Sequence, residues 1–308
     1  MCIKERNASD STCKKLLRDK GCFADLCNYA FFQGRQVIQP EELVSRENDL
    51  STLIGKVDKP TEIKRYRDVV RKASIHGEYV IIGVEHQSTF DEKMIFRILN
   101  YDATIYINQV ESKQEIYPVG SFVFYTGDKE WKSPETLKET LKNIPSEMEP
   151  YINDWRLPVV ELKTMDARKL TNQRLKEVVE ISQSMFAGNY DDLRNNRKIE
   201  IENFMMAATF TRTKIKREDL PEGDEINMCE AMDRLFQRFE NQGMEKGKII
   251  GFEKGKSDTL KEQLKVKLGT LSRPLEKQLT NTLLEKLNEL TLNIFNVTNE
   301  EDVLRIIN

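Results

Sequence analysis

No stretch of this 308-residue sequence approaches the roughly 20 consecutive apolar residues that a membrane-spanning helix requires. The first twenty residues carry charge throughout and lack the apolar centre of an export signal. Both absences lead to the expectation of a cytoplasmic protein with no membrane partner. The five cysteines (Cys2, Cys13, Cys22, Cys27 and Cys229) are odd in number and form no C-x-x-C pair. Neither a disulfide framework nor a zinc site is indicated, and reduced thiols are expected. An excess of positive charge is missing as well. The formal net charge is −3, which excludes a protein that coats nucleic acid by bulk electrostatics.

Charged residues are nevertheless abundant, at 32%, against 39% hydrophobic ones. That balance fits one substantial core, a second smaller unit, and much solvated helix surface. The chain is organised around Tyr79 to Tyr101, YVIIGVEHQSTFDEKMIFRILNY. An apolar run rich in Val and Ile ends in Glu85, His86, Gln87 and Ser88 and then passes into helical spacing. The preceding segment, Arg65 to Ile75, is also extended in pattern and carries one acid, Asp68. Between the two lies His76-Gly77. Gly supplies φ > 0 there and His tolerates it better than most residues, as a two-residue hairpin turn demands.

That turn fixes the register. It sets Asp68 directly opposite Glu85, with Cβ atoms roughly 5 Å apart. Gln87 shares their face, because strand side chains alternate, and His86 points to the other side. A four-residue turn, Ile75 to Glu78, keeps this register; a three-residue turn breaks it. Like charges placed opposite each other destabilise a sheet. A divalent cation with a preference for oxygen ligands, Mg²⁺, would relieve them. Two solvated acids on an edge hairpin are the other reading of the same spacing. Lys59, Lys64, Arg65, Arg67, Arg71 and Lys72 flank Asp68. Such a patch can neutralise phosphates next to acids that would otherwise repel them. It can equally be a solvated charged strand and loop.

Asp68, Glu85 and Gln87, with Glu85-His86-Gln87-Ser88 followed by Met94, Arg97 and Tyr101, resemble the recombination-promoting nuclease (Rpn) family, also called PD-(D/E)XK-family or YhgA-like putative transposases. FADLCNYAFFQGRQVIQPEEL near the start, YPVGSFVFYTGDKEW in the middle and the glycine-spaced helix near the end are similar to bacterial members. The likeness covers most of the chain, and EHQSxxxxxMxxRxxxY is its most specific part. The resemblance implies an α/β fold with a restriction-endonuclease-like PD-(D/E)XK core and a helical C-terminal extension. It implies a magnesium-dependent DNA endonuclease, with Asp68 and Glu85 as metal ligands and Gln87 as the third catalytic residue. Most of that superfamily carries lysine where Gln87 stands; an amide can orient water but supplies no cation. The resemblance also makes Asp25, within the first helical stretch, a candidate further acid. The word "transposase" finds no support of its own, since neither a separate acidic triad nor an end-recognition domain is evident. The competing function is a non-catalytic DNA-binding or oligomerising protein associated with mobile elements.

The remaining expectations are architectural. Cys13 to Phe32 has helical periodicity and ends at Gly34, Val37-Ile38 reads as a short strand, and residues 45–61 read as a long loop. Residues 1–10 look frayed. Thr89 with Glu92 has the spacing of a capping box opening the next helix. On it Met94, Arg97 and Tyr101 share one face, so Arg97 and Tyr101 either support the site or serve the core. Val119–Tyr125 and Leu157–Leu162 read as strands, and nothing after Asn172 does. The expected division is a core at 11–170, a helical connection at 171–225 and a C-terminal helical region at 226–308. In that region glycines recur at 243, 247, 251 and 255, each costing about 1 kcal/mol of helix stability relative to Ala. They suggest either a helix–helix seam or a spacer repeat. Leucines at 275, 279, 283, 287 and 290 form a stripe that needs cover. Thr298 with Glu301 reads as a further capping box. A homo-oligomer formed through these helices, bound to DNA by backbone contacts of low sequence specificity, is the expected assembly.

Overall fold

The computed structural model describes residues 3–44, 69–113 and 115–308. Two compact units emerge, Met1–Met232 and Asp233–Asn308.

The first unit opens with helices α1 (Ile3–Arg18) and α2 (Lys20–Phe32). One continuous helix from Cys13 was expected, but the chain breaks at Asp19. Its side chain leaves the helix and accepts a hydrogen bond from the Cys22 backbone N–H at 2.8 Å, capping α2. Nor is the start frayed up to residue 10, since α1 is helical from Ile3. Val37 and Ile38 form no strand. Their backbone N–H groups donate instead to the buried Asn28 side chain.

Strands β1 (Val69–Ile75) and β2 (Glu78–Gln87) then form the expected antiparallel hairpin. His76 and Gly77 both have positive φ, 53° and 89°, as a type I′ turn requires. The register is the expected one, from Ile75 opposite Glu78 to Val69 opposite Val84. Helix α3 (Met94–Glu111) crosses over to β3 (Val119–Tyr125), which runs parallel to β2. A short helix α4 (Leu137–Thr140) precedes β4 (Val159–Glu161), parallel to β3. The sheet order is β1-β2-β3-β4. The box at Thr89 and Glu92 does not open α3, whose N-cap is Lys93. Asp91 takes over instead: its carboxylate accepts from the Lys93 backbone N–H at 3.0 Å and holds the turn before the helix.

Alternation of side chains gives the sheet two covered faces. On one, Ala73, Ile82, Val84, Phe122 and Phe124 pack against Leu16 and Leu17 of α1, Phe23 and Leu26 of α2, and residues of α5 (Gln173–Ala187) and α6 (Ile201–Thr211). On the other, Val123 and Tyr125 meet Met94, Ile95 and Ile98 of α3, and Ile81 meets Ile105. Each buried Val, Leu, Ile, Phe or Met among these contributes about 1.5–3 kcal/mol. The result is a mixed α/β protein in three layers, helices, sheet and helix. Helices α5 and α6, expected to be a connection, complete one of those layers. A second sheet pairs β5 (Lys198–Glu200) with β6 (Glu225–Asn227). Three residues per strand are too few to show alternation, which is why no strand was read there.

In the second unit the end of α7 (Met228–Leu268) packs with α8 (Arg273–Thr280), α9 (Leu284–Asn293) and α10 (Glu300–Ile307). Leu260 and Leu264 of α7 share a core with Leu275, Leu279, Leu287, Leu290, Val303 and Ile307. Four of the five stripe leucines are therefore covered within the chain, and only Leu283 is exposed, at 72%. The four spaced glycines face open space: a Cβ added at any of them meets nothing within 4 Å, so no seam forms there among the described residues. The final cap sits one residue later than expected. Asn299 accepts from the Asp302 N–H, while Asp302 accepts from the N–H and hydroxyl of Thr298. Among the described residues, no helix is long and apolar enough to cross a membrane.

Candidate active site

The run Ile81–Ser88 is buried without interruption, and its polar end is buried with the rest. Glu85 is only 4% exposed and Gln87 equally so. Both lie on the α3 side of β2. The Glu85 carboxylate accepts from Arg97 Nη2 at 2.8 Å and from Gln87 Nε2 at 3.2 Å, both at Oε1. Arg97 reaches it from the first turn of α3 and donates through Nη1 to Asp91 at 3.1 Å. Burial alone would depress the Arg97 pKa. The hydrogen bond with Tyr101, the Glu85 charge and the Asp91 bond outweigh it, and the net shift is upward. Arg97 is thus held as a cation. A buried carboxylate needs such a partner, and a charge-assisted hydrogen bond of this kind contributes about 1.5–3 kcal/mol, less here because Arg97 is 36% exposed.

The two readings of the α3 face both apply. Arg97 clamps Glu85 and Asp91, while Tyr101, one turn further on, packs with the Met94 cluster and supports Arg97. Asp91 was not singled out by sequence reasoning. Nor was Asp102, which is buried on α3 and accepts from the Ser121 hydroxyl of β3 at 2.6 Å. The signal was present: an acid set among Ile98, Tyr101 and Ile105 on the apolar face of a helix needs a partner.

Asp68, Lys64, Arg65 and Arg67 lie outside the described residues. The last described pair of the hairpin, Val69 opposite Val84, carries the register that motivated opposing Asp68 to Glu85. The basic side chains that are described have local partners. Arg71 donates to the carbonyls of Leu17 and Arg18 at the end of α1 and lies over the Phe23 ring. Lys72 sits between the rings of Tyr79 and Tyr117, 4.0 and 3.7 Å from their centroids. Asp25 is buried too, and its carboxylate accepts from the backbone N–H groups of Thr171 and Asn172, the Thr171 hydroxyl and Gln36. These contacts hold the chain that leads into α5 and do not join Asp25 to Glu85.

His86 points, as expected, to the opposite face. Its Nδ1 lies 2.9 Å from Asp10 Oδ1 and its Nε2 lies 2.8 Å from Thr126 Oγ1. The imidazole is packed between Phe124 and Phe210. Among the described residues, no three or more His, Cys, Asp or Glu side chains are grouped to hold a metal ion. Within the Glu85 group the donor chemistry that could serve Mg²⁺ is carboxylate and amide oxygen, the hard ligand type that this ion takes.

Fold and site together define a three-layer α/β protein whose inner strand ends in a buried acid and amide, clamped from the crossover helix. Residues 61–211, running through β1 to α6 and amounting to just under half of the chain, match the family described as putative transposase, YhgA-like. The resemblance read from Glu85-His86-Gln87-Ser88 and its following helix is borne out at that level: this segment is similar to the YhgA-like putative transposases. Comparison with curated proteins and with solved structures gives no match.

Proposed function

We propose that the protein is a metal-dependent DNA endonuclease with a PD-(D/E)XK-type core, associated with mobile elements or recombination. The observation that carries this reading is the register of the β1–β2 hairpin, which among the described residues ends at Val69 opposite Val84; the pairing of Asp68 with Glu85 is part of the proposal. Asp68 and Glu85 would hold Mg²⁺, which when bound polarises a phosphate and lowers the pKa of a water. The remaining work belongs to the chain. Arg97 orients Glu85, and through its exposed part offers a donor to a phosphate. Gln87, within hydrogen-bond distance of Glu85, orients water by its amide. Lys64, Arg65 and Arg67 supply phosphate contacts, so DNA binding is backbone-directed and weakens as salt rises. Arg71 and Lys72 contribute less, because their own fold engages them. Asp25 acts on the fold rather than on the metal.

The second reading, a non-catalytic DNA-binding protein, draws on the Arg97–Glu85 ion pair, since a carboxylate neutralised by arginine has less need of a metal. Incubating purified protein with supercoiled plasmid separates the two. Nicking or linearisation that requires Mg²⁺ and stops on chelation supports the nuclease; DNA retention without cleavage in any divalent metal supports the alternative.

Self-association is the second part of the proposal. Its basis is no longer the leucine stripe but the exposed apolar side chains Ile249, Ile250 and Phe252 beside the open glycines of α7. Light scattering on the full chain and on a chain ending at Met232 checks this. The full chain should be at least dimeric and the shorter one monomeric; a monomeric full chain at micromolar concentration contradicts it.

A further inference from the structure

Strands β2 and β3 run parallel, and the loops that leave their carboxyl ends, residues 88–93 and 126–136, meet each other. The carboxyl ends of such strands are where open α/β sheets take their ligands. The Ser133 hydroxyl donates to the Glu92 carbonyl at 3.5 Å, and three aromatic rings run across the junction. Tyr125, the last residue of β3, meets Trp131 with ring centroids 5.0 Å apart and planes at 68°. Trp131 meets Phe90 at 5.3 Å and 74°. The inner ring is fixed: Tyr125 is 1% exposed, and a Cβ at Gly127 would overlap it, so the loop passes directly over it. The outer ring is open. Phe90 is 41% exposed, and at that interplanar angle Trp131 covers at most one of its faces.

This open ring is tied to the Glu85 group. The residue after Phe90 is Asp91, which accepts from Arg97 Nη1, while Nη2 of the same arginine holds Glu85. Lys93, Lys129 and Lys132, on the same two loops, are exposed and can meet phosphates. Trp131 Nε1 is buried and has no acceptor among the described residues. A buried indole N–H normally finds one, and a planar heterocycle beside Phe90 carries ring nitrogens and carbonyl oxygens of that kind.

We propose that Phe90, backed by Trp131, is a stacking platform for an unpaired base of DNA, so that the substrate class of this site is DNA with a single-stranded or distorted segment. A paired base already has neighbours on both faces; an unstacked one offers a face to Phe90. Phenylalanine carries no polar atom, so the platform accepts any base, in keeping with binding of low sequence specificity. That the platform presents a substrate for cleavage rests on the nuclease reading; the stacking itself does not.

Fluorescence anisotropy on the full chain, with Ca²⁺ in place of Mg²⁺, tests the platform. The probes are a labelled single strand, a fully paired duplex of the same length and that duplex with a central unpaired bubble. The single strand and the bubble should bind about tenfold or more tighter than the paired duplex, the scale of one stacked base. Trp155→Phe leaves Trp131 as the sole tryptophan, and the same two probes should quench its emission. Phe90→Leu, which keeps an apolar side chain but removes the ring, should bring the affinity for the bubble down about tenfold, toward that of the duplex. Phe90→Tyr should keep the preference. Equal binding of bubble and duplex by the parent protein overturns the proposal, as does a preference that survives Phe90→Leu in full. The cleavage assay is read separately. A bubble preference without cleavage in any divalent metal supports the platform and contradicts the nuclease; cleavage in Mg²⁺ with no bubble preference does the reverse.

Discussion

The last turn of β2 presents two polar groups built to opposite ends. On the α3 side, Glu85 is held by Gln87 and by one arginine that is itself a third exposed, so the group opens toward solvent. On the other side, His86 is closed in by α1, by Thr126 and by the rings of Phe124 and Phe210. Residues adjacent in sequence thus serve different purposes because a strand sends them to different layers. In the proposed function, the acid beside a partly exposed cation acts on a ligand. A buried imidazole bonded at both nitrogens is placed to lock α1 to the sheet.

The sharpest way to separate the two faces is to remove one clamp at a time. Arg97→Ala leaves Glu85 without its charge-assisted partner. Cleavage of plasmid in Mg²⁺ should fall on the order of 10–100-fold, the scale of losing a residue that orients a metal ligand. The melting temperature should change little by comparison. An unchanged cleavage rate would reduce Arg97 to a surface ion pair. His86→Leu should do the reverse. It leaves Asp10 and Thr126 without their shared partner and should destabilise the first unit by about 1–3 kcal/mol, read by urea unfolding. Cleavage by the folded fraction should stay within a few-fold of the parent. A larger loss of cleavage than of stability would show that the two faces are not independent.

Much of this was legible in the sequence, for identifiable reasons. The hairpin register followed from one dipeptide, since His76-Gly77 admits positive φ at both positions and the strand period then fixes every pairing. The opposite orientations of Glu85 and His86 followed from the same period. The Arg97 clamp was readable as one of two outcomes because Met94, Arg97 and Tyr101 share a helical face. What was not legible depended on contacts distant in sequence. Asp25 has the look of a site acid, yet its partners Thr171 and Asn172 stand far along the chain. The break at Asp19 and the displaced start of α3 were each decided by an aspartate competing for nearby backbone N–H groups, an effect that periodicity does not register. The leucine stripe was correctly seen to need cover, but pattern alone does not say whether the cover is another chain or the next helix.

The central claim is that Asp68 and Glu85 act together on one metal ion, and Asp68→Asn tests it most directly. The substitution keeps size and shape while removing one charge, so the fold, followed by circular dichroism and melting temperature, should be retained. With plasmid DNA in Mg²⁺, cleavage should fall below detection, as it should for Glu85→Gln. Cleavage by Asp68→Asn at the parent's rate would contradict the account.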